Sequence, residues 1–183
     1  MAGTIGRETT KIARSEDVKS NDIDTPNSII ASLKLEPHLE GGHFKEIFRD
    51  TATDSTGRSR STSIYYLLQN GQHSQLHRLD ACEAWHHYSG GCLDIVEVDN
   101  DGPKVTKLGK SIGNGERPIY VVPAGKWFGA KPADGTDFVL AGCTVAPAFD
   151  FEKFEMGDRE KLLAEFGDNP DSREWIDALL PKG

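Results

Sequence analysis

The stretch GQHSQLHRLDACEAWHHYSGG, from Gly71 to Gly91, holds four histidines and one glutamate close together. Its composition predicts two antiparallel strands, 74–79 and 84–88, joined as one hairpin by a turn at 80–82. Side chains alternate between the two faces of a strand. His77 and Glu83 are therefore predicted to meet on the inner face of this hairpin.

An imidazole and a carboxylate brought together on facing strands have two chemical uses. They can ligate a divalent metal, or the carboxylate can orient a histidine and raise its basicity for general acid or base catalysis. The two residues alone also leave a structural alternative open. In it, His77 and Glu83 only satisfy each other's polar groups inside the barrel and have no chemical role.

Short β-rich runs separated by Gly, Asn, Asp and Pro clusters continue on both sides of this stretch. The predicted strands are 43–49, 62–68, 74–79, 84–88, 93–98, 104–108, 119–122, 127–131 and 138–145. The 19 glycines and 9 prolines of the chain supply the turns that so many short strands need. The pattern predicts an all-β sandwich or barrel.

Helical patterns flank the β-rich region. Thr25, followed by a proline, is a suitable N-cap for a helix over 26–35, and Asp158 and Asn169 can cap two short C-terminal helices packed on the outside of the barrel. The predicted organisation is a flexible N-terminal tail over 1–24, a barrel with its N-terminal helix over 25–157, and a helical extension over 158–183.

Charge and composition exclude several functions. The chain has 21 Lys and Arg against 29 Asp and Glu, a formal net charge of −8, and its basic residues are scattered, which argues against nucleic-acid or anionic membrane partners. It shows neither a secretory signal nor a membrane-spanning apolar run, so we expect a cytoplasmic protein.

Cys82, Cys92 and Cys143 lack a CxxC pair, which favours reduced thiols, and Cys92 and Cys143 are predicted to be buried.

Several motifs follow one another along the chain. Gly71 is followed by His77, Glu83 and Gly90, and a Pro-Ala-Gly turn stands at 123–125. The first set resembles the first motif of the cupin superfamily, in which a glycine precedes a HisXHis pair, a glutamate and a closing glycine, and the turn looks like the ProXGly turn of its second motif. Further segments resemble an uncharacterised single-domain cupin family related in fold to the dTDP-sugar epimerases. These segments are 35–42, 61–68, 77–78 with 83–86, and 142–149. The resemblance covers about 26–154, and the co-occurrence of its motifs makes it specific.

This resemblance implies a double-stranded β-helix, or jelly-roll, barrel that pairs into homodimers and holds a small-molecule pocket in its mouth. Two of the four usual metal ligands are replaced, because Leu79 stands at the second histidine of the HisXHis pair and Phe128 at the histidine after the ProXGly turn. No cofactor is therefore favoured. For a divalent metal, the expected ligands are His77, Glu83 and His87, with His73 and Gln75 as other candidates for the third position.

Further residues are predicted to contact the ligand because they are aromatic or polar and lie on predicted barrel strands. They are Tyr65, Gln75, Trp85, His86, His87, Phe128 and Glu46. Regular alternation turns His87 inward with Glu83, the resemblance selects His86, and a bulge near Trp85 would exchange the two. Arg78 should point outward into a surface or dimer-interface ion pair, and Glu40-Gly41-Gly42 is interpreted as a strand-entry turn.

Three functional hypotheses follow. In the first, the protein is a cofactor-free isomerase, epimerase or lyase, in which His77, tuned by Glu83, moves a proton on a small carbonyl-containing or sugar-like substrate. In the second, it binds a small molecule in the same pocket without chemistry. In the third, it is a metal-dependent cupin with an incomplete ligand set.

Overall fold

The computed structural model describes residues 24–180. The predicted N-terminal tail, except Asp24, and the last three residues of the predicted C-terminal extension lie outside the described residues. The helices are α1 (Pro26–Leu33), α2 (Arg159–Phe166) and α3 (Pro170–Leu179). The strands are β1 (Glu36–Pro37), β2 (His43–Arg49), β3 (Thr62–Gln69), β4 (Ser74–Leu79), β5 (Cys82–Gly90), β6 (Leu93–Asp99), β7 (Gly102–Leu108), β8 (Ile119–Val122), β9 (Trp127–Pro132), β10 (Phe138–Ala146) and β11 (Phe154–Met156).

These strands form two antiparallel sheets whose inner faces enclose one core. The six-stranded sheet has the order β1-β2-β3-β10-β5-β8, and the five-stranded sheet has the order β11-β4-β9-β6-β7. Large apolar side chains from both sheets, including Leu68, Trp85, Ile95 and Phe128, fill the space between them. Every predicted strand is present, and β1 and β11 are additions. The all-β prediction is confirmed.

The hairpin predicted for β4 and β5 is wrong. β4 pairs with β9 and β11 in the five-stranded sheet, whereas β5 pairs with β10 and β8 in the six-stranded sheet. The short link at 80–81 therefore carries the chain from one sheet to the other. The cause is long-range pairing, because each strand takes its ladder partners from segments distant in sequence. His77 and Glu83 consequently face each other across the barrel interior rather than along one ladder.

The helix caps follow the sequence closely. The Thr25 hydroxyl oxygen accepts a hydrogen bond from the Ser28 N–H, and the Ser28 hydroxyl oxygen accepts one from the Thr25 N–H. These two bonds form a capping box. α1 ends at Leu33, two residues before its predicted end, because Lys34 adopts a left-handed φ of 53° that closes the helix. Asp158 and Asn169 cap α2 and α3 as predicted.

α2 and α3 cover the outer face of the five-stranded sheet. Leu162 and Phe166 of α2 and Ile176 and Leu179 of α3 pack on a patch that includes Leu76 of β4. Within 24–180, the helices are all too short or too polar to cross a membrane.

The three cysteines are all free thiols. Cys143 on β10 is buried as predicted, and its burial raises the pKa of its thiol well above the usual value. Cys92 corrects the prediction, since it is only half-buried at the turn between β5 and β6. Partial burial, together with Glu116, raises the pKa of the Cys92 thiol to about 11.

Candidate functional site

A cavity lies between the two sheets. The volume of this cavity is about 70 Å³. Its walls come from β2, β3, β4, β5 and β10, from the turn before β2, and from the segment after β10. The lining residues are His38, Glu40, Phe44, Glu46, Arg49, Thr62, Ile64, Tyr66, His77, Leu79, Glu83, Trp85, Cys143, Val145, Phe149 and Phe151. Most of this wall is apolar, with a few convergent polar groups, as small-molecule sites commonly are.

His77 and Glu83 both lie in this cavity and are 1% and 7% exposed. His77 Nε2 is 4.0 Å from Glu83 Oε2. The other ring nitrogen, Nδ1, lies 2.7 Å from the carbonyl oxygen of Gln75. A carbonyl oxygen only accepts hydrogen bonds, so Nδ1 must carry the proton. In the neutral ring, this leaves the lone pair of Nε2 on the side of Glu83.

Glu40, which the sequence predicts only as part of a turn, is a buried carboxylate in the structure. It is 7% exposed, accepts a hydrogen bond of 2.8 Å from Ser74 Oγ, and lies 3.7 Å from His77 Nδ1. The His77 ring is therefore flanked by one carboxyl group at each nitrogen, Glu40 at Nδ1 and Glu83 at Nε2.

The turn that carries Glu40 can lie close to the backbone of β4 and of His73, just before it, because residue 41 is a glycine. Gly41 has φ of +114°, and a Cβ there would lie 2.2 Å from the backbone oxygen of His73. The Gln75 N–H donates to the Glu40 carbonyl at 2.9 Å, and Tyr66 Oη donates to the Gly41 carbonyl at 2.7 Å. This close approach delivers the Glu40 side chain into the cavity. The sequence feature that could have predicted this position of Glu40 is a charged residue directly before two glycines.

His38 brings a second imidazole into the cavity. The Glu40 backbone N–H points to His38 Nδ1 at 3.3 Å, so this nitrogen accepts and the ring proton lies on Nε2. Burial lowers the pKa of His38, and the nearby Glu40 carboxylate only partly offsets this effect. His38 is therefore neutral at pH 7, with the tautomer opposite to that of neutral His77.

The carboxyl group of Glu83 is strongly perturbed by its position in the cavity. Burial, followed by the negative charge of Glu40, raises the pKa of Glu83 to about 8, although hydrogen bonding from the side chains of Trp85 and Cys143 acts in the opposite direction. Glu83 is therefore mostly protonated at neutral pH. Glu83 Oε2 and Trp85 Nε1 are both buried, and within residues 24–180 neither makes a hydrogen bond of standard distance and angle, although the indole lies close enough to Glu83 to lower its pKa.

The metal ligands predicted from the sequence are not all brought together in this cavity. Leu79 places hydrocarbon in the cavity wall, and the Phe128 ring packs on His77 with a centroid separation of 4.1 Å. His87, the expected third ligand, does not line the cavity, and its Nε2 is bonded to the Gly91 carbonyl at 2.8 Å. Over residues 24–180, no three His, Cys, Asp or Glu side chains are grouped to hold a metal ion, whereas first-row metals usually take at least three protein ligands.

Two of the predicted ligand-contacting residues line the cavity and one lies behind its wall. Trp85 is part of the inner wall, and Glu46 lies at the mouth, where it pairs with Arg49 at 3.1 and 2.8 Å. Phe128 is buried behind His77 and supports the imidazole ring without lining the cavity.

Tyr65 and Gln75 are placed outside the cavity lining, which corrects their predicted positions. On β3 the inward residues are Thr62, Ile64 and Tyr66, so strand alternation turns Tyr65 outward. Gln75 is displaced because the pairing of β4 with β9 is irregular between Ser74 and His77. The neighbouring Tyr66 is the tyrosine that lines the cavity, and a one-residue error in phase accounts for the difference.

His86 and His87 also lie outside the cavity lining. β5 has a bulge, but the extra residue is Tyr88 rather than a residue near Trp85. The bulge comes after both histidines, so it does not turn His86 inward. The His87 ring is directed to the Gly91 carbonyl at the end of the strand instead. His73, the other alternative metal ligand, does not line the cavity either.

Comparisons with known proteins agree on one architecture. Residues 27–157 match the family model described as Cupin superfamily (DUF985). A crystal structure of a Shewanella oneidensis protein is 34% identical, with a TM-score of 0.79 over 86% of this chain and 98% of that one. A hypothetical protein from Leishmania major is 28% identical, with a TM-score of 0.77 over 87% and 100% of the two chains.

A more distant structure supports the fold alone. The cupin 2 conserved barrel domain protein from Rhodopseudomonas palustris is 14% identical, with a TM-score of 0.57 over 78% of this chain and 87% of that one. A comparison with curated protein sequences gave no significant match.

Proposed function

The chain belongs to the cupin superfamily, in the family described as DUF985, and on that premise we propose that it is a cofactor-free isomerase, epimerase or lyase acting on a small carbonyl compound. The family match and the two-sheet barrel confirm the predicted jelly-roll fold. The observation that carries the proposal is the pairing of a tautomer-fixed His77 with a buried Glu83 whose pKa is raised to about 8. The predicted homodimer and cytoplasmic location stay predictions.

The two groups supply opposite halves of a proton shift. His77 Nε2, as the base, takes a proton from the carbon next to a carbonyl group, while Glu83, as the acid, gives its proton to the carbonyl oxygen. This step forms an enol, which is an enediol when the deprotonated carbon also carries a hydroxyl group, together with an imidazolium and a carboxylate. In an isomerisation, the imidazolium gives its proton to the former carbonyl carbon while the Glu83 carboxylate takes the proton of the other hydroxyl group. In an epimerisation, water protonates the original carbon from its opposite face, the Glu83 carboxylate takes back the enol proton, and the imidazolium releases its proton to solvent. In a lyase reaction, a group leaves the next carbon with its bonding electrons and is protonated by the imidazolium, while the enol proton returns to Glu83.

The surrounding residues support this division of roles. The Gln75 carbonyl fixes the orientation of the His77 ring, and Glu40, 3.7 Å from Nδ1, stabilises the imidazolium that forms during the reaction. Low solvent exposure of both groups strengthens their electrostatic interactions with a bound substrate. Because Glu83 must be protonated to act as the acid, turnover should fall as the pH rises through about 8.

Hydrogen exchange tests this proposal whichever product is formed. The protein is incubated in D₂O with a panel of short aldoses, ketoses and hydroxyketones, and NMR follows loss of the proton next to the carbonyl. We expect exchange with at least one compound, and His77→Asn should slow it by about 10²- to 10⁴-fold because the base is lost. His87→Asn is the matched control, since His87 does not line the cavity.

The alternative function is a non-catalytic small-molecule-binding protein, which the largely apolar cavity wall also suits. It would be favoured by compounds that raise the melting temperature but show no exchange. Equal exchange rates in the wild-type protein and His77→Asn would rule out the assigned base.

A further inference from the structure

The cavity contains two buried polar atoms that lack a hydrogen-bond partner among the described residues. They are Trp85 Nε1, on a side chain 1% exposed, and Glu83 Oε2. Buried polar groups are normally paired, and an indole N–H can only donate. A protonated Glu83 adds an O–H donor, and neutral His38 adds an N–H on Nε2. The site therefore offers donors to a ligand that is rich in oxygen acceptors.

The charges around the cavity select against anions. Arg49 is the only Lys or Arg among the described lining residues, and it lies at the mouth, already bonded to Glu46 through two nitrogens. The interior instead contains the Glu40 carboxylate, which is 7% exposed. An anionic group entering the cavity would be brought out of water next to this charge without a free cation to balance it.

The enclosed space limits the size of the ligand. The cavity volume is about 70 Å³, and one water molecule needs roughly 10–15 Å³ of cavity volume. The cavity therefore has room for about five to seven water-sized groups. This suits a compound with a short carbon chain, with any longer part extending through the mouth.

Building on the proposed function, we propose that the substrate is a short, uncharged hydroxyaldehyde or hydroxyketone and that carboxylates and phosphate esters are rejected. The carbonyl oxygen accepts from Glu83, the oxygen of a hydroxyl group on the next carbon accepts from Trp85 Nε1, and this hydroxyl-bearing carbon presents its proton to His77 Nε2. The unpaired donors recognise the oxygens, and the absence of a free cation among the described lining residues sets the charge preference.

A matched set of three-carbon compounds tests this inference on the 183-residue chain. Glyceraldehyde and dihydroxyacetone are the uncharged members, and glycerate and glyceraldehyde 3-phosphate are the anionic members. Ligand-induced shifts in melting temperature give apparent affinities, independently of turnover. We expect shifts with the uncharged members and binding at least about 100-fold weaker for the anionic ones, the order expected when like charges meet out of water.

Two tryptophan variants test whether the ligand accepts a hydrogen bond from Trp85 Nε1. Trp85→Phe removes the indole N–H and should weaken binding of the uncharged compounds about tenfold. Trp127→Phe is the matched control, because Trp127 is similarly buried but lies in the cluster under the C-terminal helices. Each shift is measured against the same variant without ligand, so that a change in stability cancels.

The outcomes separate this inference from the proposed function. Binding of the uncharged compounds without proton exchange would support the ligand class and overturn the enzymatic proposal. Tighter binding of the anionic members would overturn the ligand class even if exchange occurred. The ligand class would also be overturned if the uncharged compounds gave no shift, or if Trp85→Phe and Trp127→Phe bound them equally well.

Discussion

Three consecutive residues of β4 divide the molecule into two regions of opposite character. Leu76 points outward beneath α2 and α3, into a cluster of hydrophobic side chains. His77 points inward into the cavity, which also contains the imidazole of His38 and the carboxyl groups of Glu40 and Glu83. Arg78 points outward again, to the solvent-exposed part of the same face.

The difference shows where this fold is stabilised and where it does chemistry. Burial of hydrocarbon under the helices is favourable without any requirement for precise pairing. Burial of four ionisable groups is unfavourable unless each is paired or neutral, and Glu83 satisfies this condition by holding its proton. We therefore expect mutations under the helices to change stability, and mutations in the cavity to change stability in a pH-dependent manner.

Leu76→Ala should give the largest loss of stability. Leu76 is fully buried between the sheet and the helices, and truncating such a residue costs about 2–5 kcal/mol of unfolding free energy. Urea denaturation measures the loss, and Leu39→Ala, at an exposed leucine, is the control. Ligand-induced shifts should persist in Leu76→Ala, since the residue does not touch the cavity. A loss below about 1 kcal/mol would remove the contrast between the two regions.

Glu83→Gln should change how stability depends on pH. The folded protein raises the pKa of Glu83 to about 8, whereas an unfolded chain has the ordinary value near 4.5. Between these values the folded state binds more protons than the unfolded state, so the unfolding free energy falls as the pH rises through this window. Glu83 contributes a decline on the order of 5 kcal/mol, complete above about pH 8.

The measurement compares urea denaturation of wild type and Glu83→Gln at pH 5, 6, 7, 8 and 9. The variant lacks the titrating group, so its unfolding free energy should decline less across this range and should approach or exceed that of wild type at the alkaline end. Glu155→Gln, at an exposed glutamate, should keep the wild-type slope. Parallel curves for wild type and Glu83→Gln would mean that Glu83 is ionised in the folded protein at neutral pH.

The sequence predicted the barrel because its strands carry local signals. Turn residues and alternating apolar positions located every predicted strand, and Thr25 predicted the start of α1. His77 and Glu83 were predicted to meet, and they do, although the predicted reason was wrong. Whether β4 and β5 pair with each other or belong to opposite sheets depends on β9 and β10, and local sequence contains no signal for such long-range pairing.

The rest of the candidate site depends on the backbone conformation. Glu40 enters the cavity because Gly41 approaches the β4 backbone, an effect that is invisible in residue order until the fold is known. The inward tyrosine is Tyr66 rather than Tyr65, since the phase of an apolar strand is ambiguous when both neighbours are aromatic. The irregular pairing between Ser74 and His77 likewise keeps Gln75 out of the cavity.

Arg78→Ala should give the smallest effect, although Arg78 is adjacent to the proposed base. As predicted, its side chain points away from His77 and forms a surface ion pair, with Nε 2.7 Å from Glu155 Oε2, and its guanidinium lies 4.6 Å from the ring centroid of Trp127. The two partners are 43% and 54% exposed, so water and salt weaken their attraction. We expect a coupling of about 0–1 kcal/mol in a double-mutant cycle of Arg78→Ala and Glu155→Ala, with proton exchange unchanged. A coupling well above this range, or loss of exchange in Arg78→Ala, would mean that the exposed part of β4 acts on His77 and that the two faces of the strand are not independent.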